Sequence, residues 1–103
     1  MARDTTKLTS EELYRFLGRY PLWKHEEGML RRTYEAPNFL AGIEFVNRLA
    51  KVAEAADHHP DIDIRWRKVT LALVTHDAGG ITSRDTELAA EADSLFAQVA
   101  VAS

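Results

Sequence analysis

The sequence contains no cysteine. Disulfide scaffolds, thiol redox chemistry and nucleophilic-cysteine catalysis are thereby excluded, and packing alone must hold the fold together. Positive charge is not in excess either, since 13 Lys+Arg stand against 16 Asp+Glu for a formal net charge of -3. That balance argues against nucleic-acid binding or attachment to an anionic membrane as the main activity. No stretch approaches the ~18 consecutive apolar residues of a membrane span. Met1-Ala2-Arg3-Asp4 opens without a hydrophobic signal core, so the expected address is the cytoplasm. There is no repeat, low-complexity tract or Pro/Gly/Ser-rich linker to mark a boundary. One domain over residues 1–103 is expected, with a modest core and an active site that is small or shared.

What the chain does contain is a succession of amphipathic segments. Thr9-Ser10-Glu11-Glu12 has the spacing in which a hydroxyl and a carboxylate satisfy free amides reciprocally, opening a helix whose apolar face is Leu13, Phe16, Leu17 and Tyr20. Pro21 stops it. Trp23–His25 and Met29–Glu35 read as strands around Glu26-Glu27-Gly28, where glycine can supply a positive φ. Pro37-Asn38 starts a second helix, Asn38 capping it, with Phe39, Ile43, Val46, Leu49, Ala50 and Ala53 as its stripe and an end near Asp57.

Pro60 cannot continue that helix, which leaves His58 and His59 at its frayed end. Ile62, Ile64 and Trp66 alternate on one parity and Val69, Leu71 and Leu73 on the other, so a bend or bulge is required near Arg67-Lys68. A longer strand then runs to Thr75-His76, followed by the Asp77-Ala78-Gly79-Gly80 turn. A last helix starts at Thr82 or Ser83 with Leu88, Ala92, Leu95, Phe96 and Val99 inward and Asp85 in its first turn. The order α-β-β-α-β-β-α predicts an α+β two-layer sandwich, a four-stranded mostly antiparallel sheet with three helices on one face. An uncovered sheet face or edge bearing apolar residues would invite self-association.

Histidine carries the chemistry. Glu54, Asp57, His58 and His59 crowd one helix end, His76 ends a strand and Asp85 opens a helix, so three element ends can meet in one cleft. Imidazoles titrate near neutrality and neighbouring carboxylates fix their tautomers, which favours acid/base chemistry. Three histidines also suit zinc, although adjacent ones such as His58 and His59 usually diverge. Taken singly, each of these residues has a structural reading, Asp85 as a helix cap among them; His25, without an acidic partner at a telling spacing, keeps its structural one.

Glu54, three residues, His58-His59-Pro60, five residues, Trp66, nine residues, His76, eight residues, Asp85: this series resembles the pterin-4a-carbinolamine dehydratases, known in animals also as the dimerization cofactor of a hepatocyte nuclear factor. Trp23, Phe45-Val46, Val74-Thr75-His76 and Gly80-Ile81-Thr82 extend the likeness over nearly the whole chain, with Trp66 standing where tyrosine is frequent. The resemblance implies a hydro-lyase that dehydrates a 4a-hydroxytetrahydropterin to the quinonoid dihydropterin, in recycling of tetrahydrobiopterin for aromatic amino-acid hydroxylases. It implies a catalytic set of His58, His59 and His76, with His58 and His76 as acid and base and His59 also binding substrate. Glu54, Asp57 and Asp85 are implied to orient these groups or contact the pterin. No cofactor or metal is called for, because the pterin is the substrate. The partners expected are that pterin, further copies of the chain in a homodimer or homotetramer, and a pterin-dependent hydroxylase, with no nucleic acid and no membrane. Trp23 and Trp66 either border the pterin or pack structurally. The alternative readings are a coactivator-type dimerization module and a metal-dependent hydrolase; the joint presence of the histidines favours the dehydratase.

Overall fold

A computed structural model describes residues 5–102. Helices α1 (Ser10–Arg19), α2 (Phe39–Ala56) and α3 (Ser83–Ala102) alternate with strands β1 (Lys24–Glu26), β2 (Met29–Glu35), β3 (Asp61–Arg65) and β4 (Lys68–Leu73) in the order α-β-β-α-β-β-α. The four strands form one antiparallel sheet in the order β1-β2-β4-β3. Its inward side chains, Leu30, Tyr34, Val69, Leu71 and Leu73, join Phe45, Leu49 and Ala53 of α2 and Leu88, Ala89, Ala92 and Val99 of α3 in the core. Leu13, Phe16, Leu17 and Tyr20 of α1 pack against its edge. The α+β sandwich is as expected.

Local signals explain most element ends. The Thr9 hydroxyl accepts the Glu12 N–H at 3.1 Å while the Glu12 carboxylate accepts the Thr9 N–H at 2.8 Å, closing the capping box of α1. The Thr9 backbone N–H and then its hydroxyl hold the Glu12 carboxyl below the usual range. Asn38 accepts the Ala41 N–H at 2.8 Å and starts α2. Glu27 and Gly28 both have positive φ, the pattern of a tight two-residue hairpin turn.

Three boundaries and one helix face differ from expectation. β1 begins at Lys24, and Trp23 before it is buried in the core. The break between β3 and β4 is a two-residue hairpin turn at Trp66-Arg67, with Trp66 at φ 55°. That turn flips the parity and sets Ile62 opposite Leu71 and Ile64 opposite Val69 on one face. β4 stops at Leu73, Thr75 makes only an isolated bridge to Gly80, and His76 opens a short 3-10 turn, His76–Ala78. The buried stripe of α2 is Ala41, Gly42, Phe45, Leu49 and Ala53, whereas Phe39 and Ala50 are exposed. The stripe is rotated because α2 seats Gly42 against Ala36 and Val69, where an added Cβ would lie 3.6 Å from each.

The outer face of the sheet carries Lys24, Arg31, Thr33, Asp63, Lys68 and Thr70 and is polar. Apolar exposure falls instead on edge strand β3, at Ile62 and Ile64, on Trp66 in its turn, and on Phe39 and Leu40 of α2. Between sheet and helices, Asp93 of α3 accepts hydrogen bonds on Oδ1 from Trp23 Nε1 (3.0 Å), Arg32 Nη1 (2.7 Å) and the Tyr34 hydroxyl. Burial, and then the bond to Asp93, pushes the Tyr34 phenol well above the usual tyrosine range. Among the described residues, no helix is long and apolar enough to cross a membrane.

Candidate active site

Where α2 ends, the backbone decides how two adjacent histidines part. Asp57 takes the left-handed conformation (φ 50°, ψ 44°). Its N–H bonds the Glu54 carbonyl at 3.1 Å, and the His58 N–H reaches back to the Ala53 carbonyl at 3.1 Å. This double closure is a Schellman ending, and aspartate tolerates the left-handed residue better than a branched side chain would. The chain then turns sharply, so His58 goes inward and His59 outward.

His58 is buried with its Nε2 2.6 Å from Oδ1 of Asp85, which is itself fully buried. Asp85 Oδ2 accepts the Thr75 hydroxyl at 2.8 Å and the Thr82 N–H at 2.9 Å. The same carboxylate therefore caps α3 and holds a histidine. His59 is exposed, with Nε2 2.8 Å from Glu54 Oε1 one turn back on α2. His76 is exposed in the 3-10 turn after β4.

A cleft of about 210 Å³ brings these together, lined by Asp57, His58, His59, Val74, His76, Asp77 and Arg84. Four of the six residues singled out from sequence thus line it. Glu54 lies behind His59 and Asp85 behind His58, each touching the cleft only through its imidazole. Trp23 sits in the core, bonded to Asp93, and Trp66 projects from the β3–β4 turn with the Arg67 guanidinium 5.0 Å from its ring. A second cavity of about 310 Å³, lined by Val52, Ala56, Glu87, Leu88 and Glu91, adjoins His58 and Arg84 from the helical side. Among the described residues, no three His, Cys, Asp or Glu side chains group as ligands for a metal ion.

Arg84 is the principal cleft residue that spacing did not reveal. Its Nη2 donates to the Asp57 carbonyl at 2.9 Å, strapping the first turn of α3 to the cap of α2. Its position next to Asp85 was the available signal, but an arginine in a first helical turn is ordinarily solvated. Thr75 and Thr82 were passed over for a similar reason, since a threonine beside a strand end or helix start usually serves local structure.

A small α+β fold with histidines of differing surroundings at one cleft is the architecture of a compact acid/base enzyme. Residues 6–95 match the family model described as pterin 4 alpha carbinolamine dehydratase. The chain belongs to that family, and with it to a class of hydro-lyases, as the motif series led one to expect. It is 49% identical over 91 residues to a Roseiflexus protein provisionally named pterin-4-alpha-carbinolamine dehydratase, covering 88% of this chain and 98% of the relative. A Mycobacterium relative with the same provisional name is 51% identical over 89 residues, covering 86% and 95% respectively. The structure is similar to a crystal structure of a transcriptional coactivator/pterin dehydratase from Brucella melitensis, with a TM-score of 0.84, 25% identity and coverage of 87% of this chain and 98% of that one.

Proposed function

We propose that the chain dehydrates 4a-hydroxytetrahydrobiopterin to quinonoid dihydrobiopterin and water by histidine acid/base catalysis, in tetrahydrobiopterin recycling. The observation that carries this reading is the convergence of His58, His59 and His76 on one small cleft, two of them already paired with carboxylates. In the reaction the C4a–O bond breaks, one proton joins the departing hydroxyl to make water, and the N5 proton leaves as the C4a=N5 double bond forms. Proton transfers alone balance it, so the chemistry calls for no redox group and no cofactor.

His58 and His76, one buried and one exposed in the same cleft, supply the acid and the base. His59 belongs to the catalytic set and contacts substrate, steadied by Glu54, while Asp57 lines the cleft within reach of the ring's polar edge. Asp85 orients His58. The working form is a homodimer or homotetramer in the cytoplasm, the exposed Ile62, Ile64, Phe39 and Leu40 being the apolar surface to cover, and a pterin-dependent aromatic amino-acid hydroxylase supplies the carbinolamine.

The direct test is stopped-flow measurement of 4a-hydroxytetrahydropterin decay. The expected result is acceleration over buffer that falls on the order of 10²-fold in His58→Ala and in His76→Ala. Decay no faster than in buffer overturns the proposal.

A further inference from the structure

Behind the cleft lie two threonines that none of these roles uses. Thr75 is 1% exposed and Thr82 is 0% exposed, and their hydroxyl oxygens are 2.8 Å apart. A hydroxyl has one proton to give. Thr75 gives its proton to Asp85 Oδ2, so between the two hydroxyls Thr82 must be the donor. Having donated, Thr82 Oγ1 accepts the Arg84 N–H at 3.2 Å. The chain of bonds thus has a single direction, from the α3 backbone through Thr82 and Thr75 to Asp85. The Thr82 N–H adds a second donor on the same Oδ2.

The outcome is a carboxylate with unequal oxygens. Oδ2 is occupied by two donors, and Oδ1 faces His58 Nε2 at 2.6 Å. An acceptor on Oδ2 is an acceptor on Oδ1 as well, so Nε2 carries the ring proton and the lone pair of the neutral imidazole is on Nδ1. His58 is engaged through Nε2 and lines the cleft, where a substrate would meet the rest of its ring.

We propose that Thr75 is a positioning residue for the dehydration: by committing its proton to Oδ2 it reserves Oδ1 for His58 Nε2–H and makes Nδ1 of His58 the base that takes the N5 proton. The inference rests on the acid/base role proposed above and divides the labour within it. His58 gains the N5 proton, His76 delivers a proton to the departing hydroxyl, and exchange with solvent restores both. The charged groups around His58 come from three elements. The end of α2 contributes Asp57 and His59, and the 3-10 turn contributes His76 and Asp77. From α3 come Asp85 in direct contact and Arg84, Glu87 and Glu91 around the adjoining cavity.

The experiment follows ¹⁵N-labelled histidine in the full chain by NMR beside the pH–rate profile of carbinolamine dehydration, in the unmodified protein, Thr75→Val and Thr75→Ser. The unmodified protein is expected to show His58 as the Nε2–H tautomer. In Thr75→Val the carboxylate loses a donor and holds the imidazolium more firmly, so the acidic limb of kcat moves to higher pH by about one unit and kcat on that limb falls by up to about tenfold with KM unchanged. Thr75→Ser restores both. An Nδ1–H tautomer in the unmodified protein overturns the proposal even if Thr75→Val does not fold. So does a folded Thr75→Val that loses only thermal stability and keeps the pH limb. A chain that shows the Nε2–H tautomer and a Thr75-dependent titration of His58 by NMR yet leaves the carbinolamine untouched supports the Thr75–His58 coupling and overturns the dehydratase reading instead.

Discussion

His58 and His59 are adjacent in sequence yet have opposite surroundings: the His58 side chain is 8% exposed against a fully buried carboxylate, and that of His59 is 58% exposed against one that is 80% exposed. A hydrogen-bonded charge shielded from water fixes a ring far more firmly than one that water competes for. The two carboxylates are therefore expected to differ in weight. Asp85→Asn, which can turn a donor toward His58 and impose the wrong tautomer, should lower kcat on the order of 10²-fold. Glu54→Gln should stay within about fivefold, chiefly in KM. Steady-state dehydration rates for the two variants decide it, and equal losses would refute the distinction.

Asp93 fastens α3 to β2 through a single oxygen that serves Trp23, Arg32 and Tyr34. Asp93→Ala leaves three donors without that acceptor, one of them a guanidinium whose side chain is 15% exposed. A loss of about 3 kcal/mol is expected, enough to lower the melting temperature by more than about 10 °C in a chain this size. Urea unfolding of Asp93→Ala measures it, and a loss below about 1 kcal/mol would sink the assignment.

The raised phenol of Tyr34 has a signed consequence for alkaline stability. Its folded-state ionisation lies above the ordinary value of 10.0, so its contribution is fully present below that value and is lost as pH rises beyond it, when the unfolded chain ionises first. Stability should fall above about pH 10 through this group. Tyr34→Phe should remove that part of the decline. Urea midpoints from pH 8 to 11 for the two proteins test it; parallel curves would count against it.

Trp66 occupies a left-handed backbone position at φ 55° with its side chain largely in water. Trp66→Gly should relieve about 1 kcal/mol of backbone cost while losing about 0.5 kcal/mol from the Arg67 contact, a net gain of about 0.5 kcal/mol. A loss above about 1 kcal/mol in denaturant unfolding would show that the ring packs after all.

Features set by a few consecutive residues were legible in the sequence. The Thr9/Glu12 capping box, the Asn38 cap, the Gly28 turn and the parity switch before Val69 each follow from local rules and stand in the structure. The face of α2 was legible only in part: Leu49 and Ala53 of the expected stripe are buried, but Phe39 and Ala50 are exposed while Ala41, Gly42 and Phe45 face the core. The choice falls to the close seat of Gly42 against Val69, a contact across 27 residues of sequence. The candidate site divides in the same way. His58, His59 and His76 were found because imidazoles are rare and their series is distinctive. The buried link from Thr82 through Thr75 to Asp85 was invisible because threonine at an element boundary is ordinary, and spacing does not show that the turn closed by Thr75 and Gly80 folds Thr75 back onto α3's start.

That link also bears on when the site comes into being during folding. The Thr75, Thr82 and Asp85 bonds span ten residues or fewer, whereas the His58–Asp85 bond spans 27 and forms only when the end of α2 meets the start of α3. Partial order therefore leaves the site without its histidine pair: a chain with its hairpins and helices in place but α3 undocked holds His58 apart from Asp85. Activity arrives with the last tertiary contacts rather than with secondary structure, and local opening at the α3 start switches it off before the fold itself is lost.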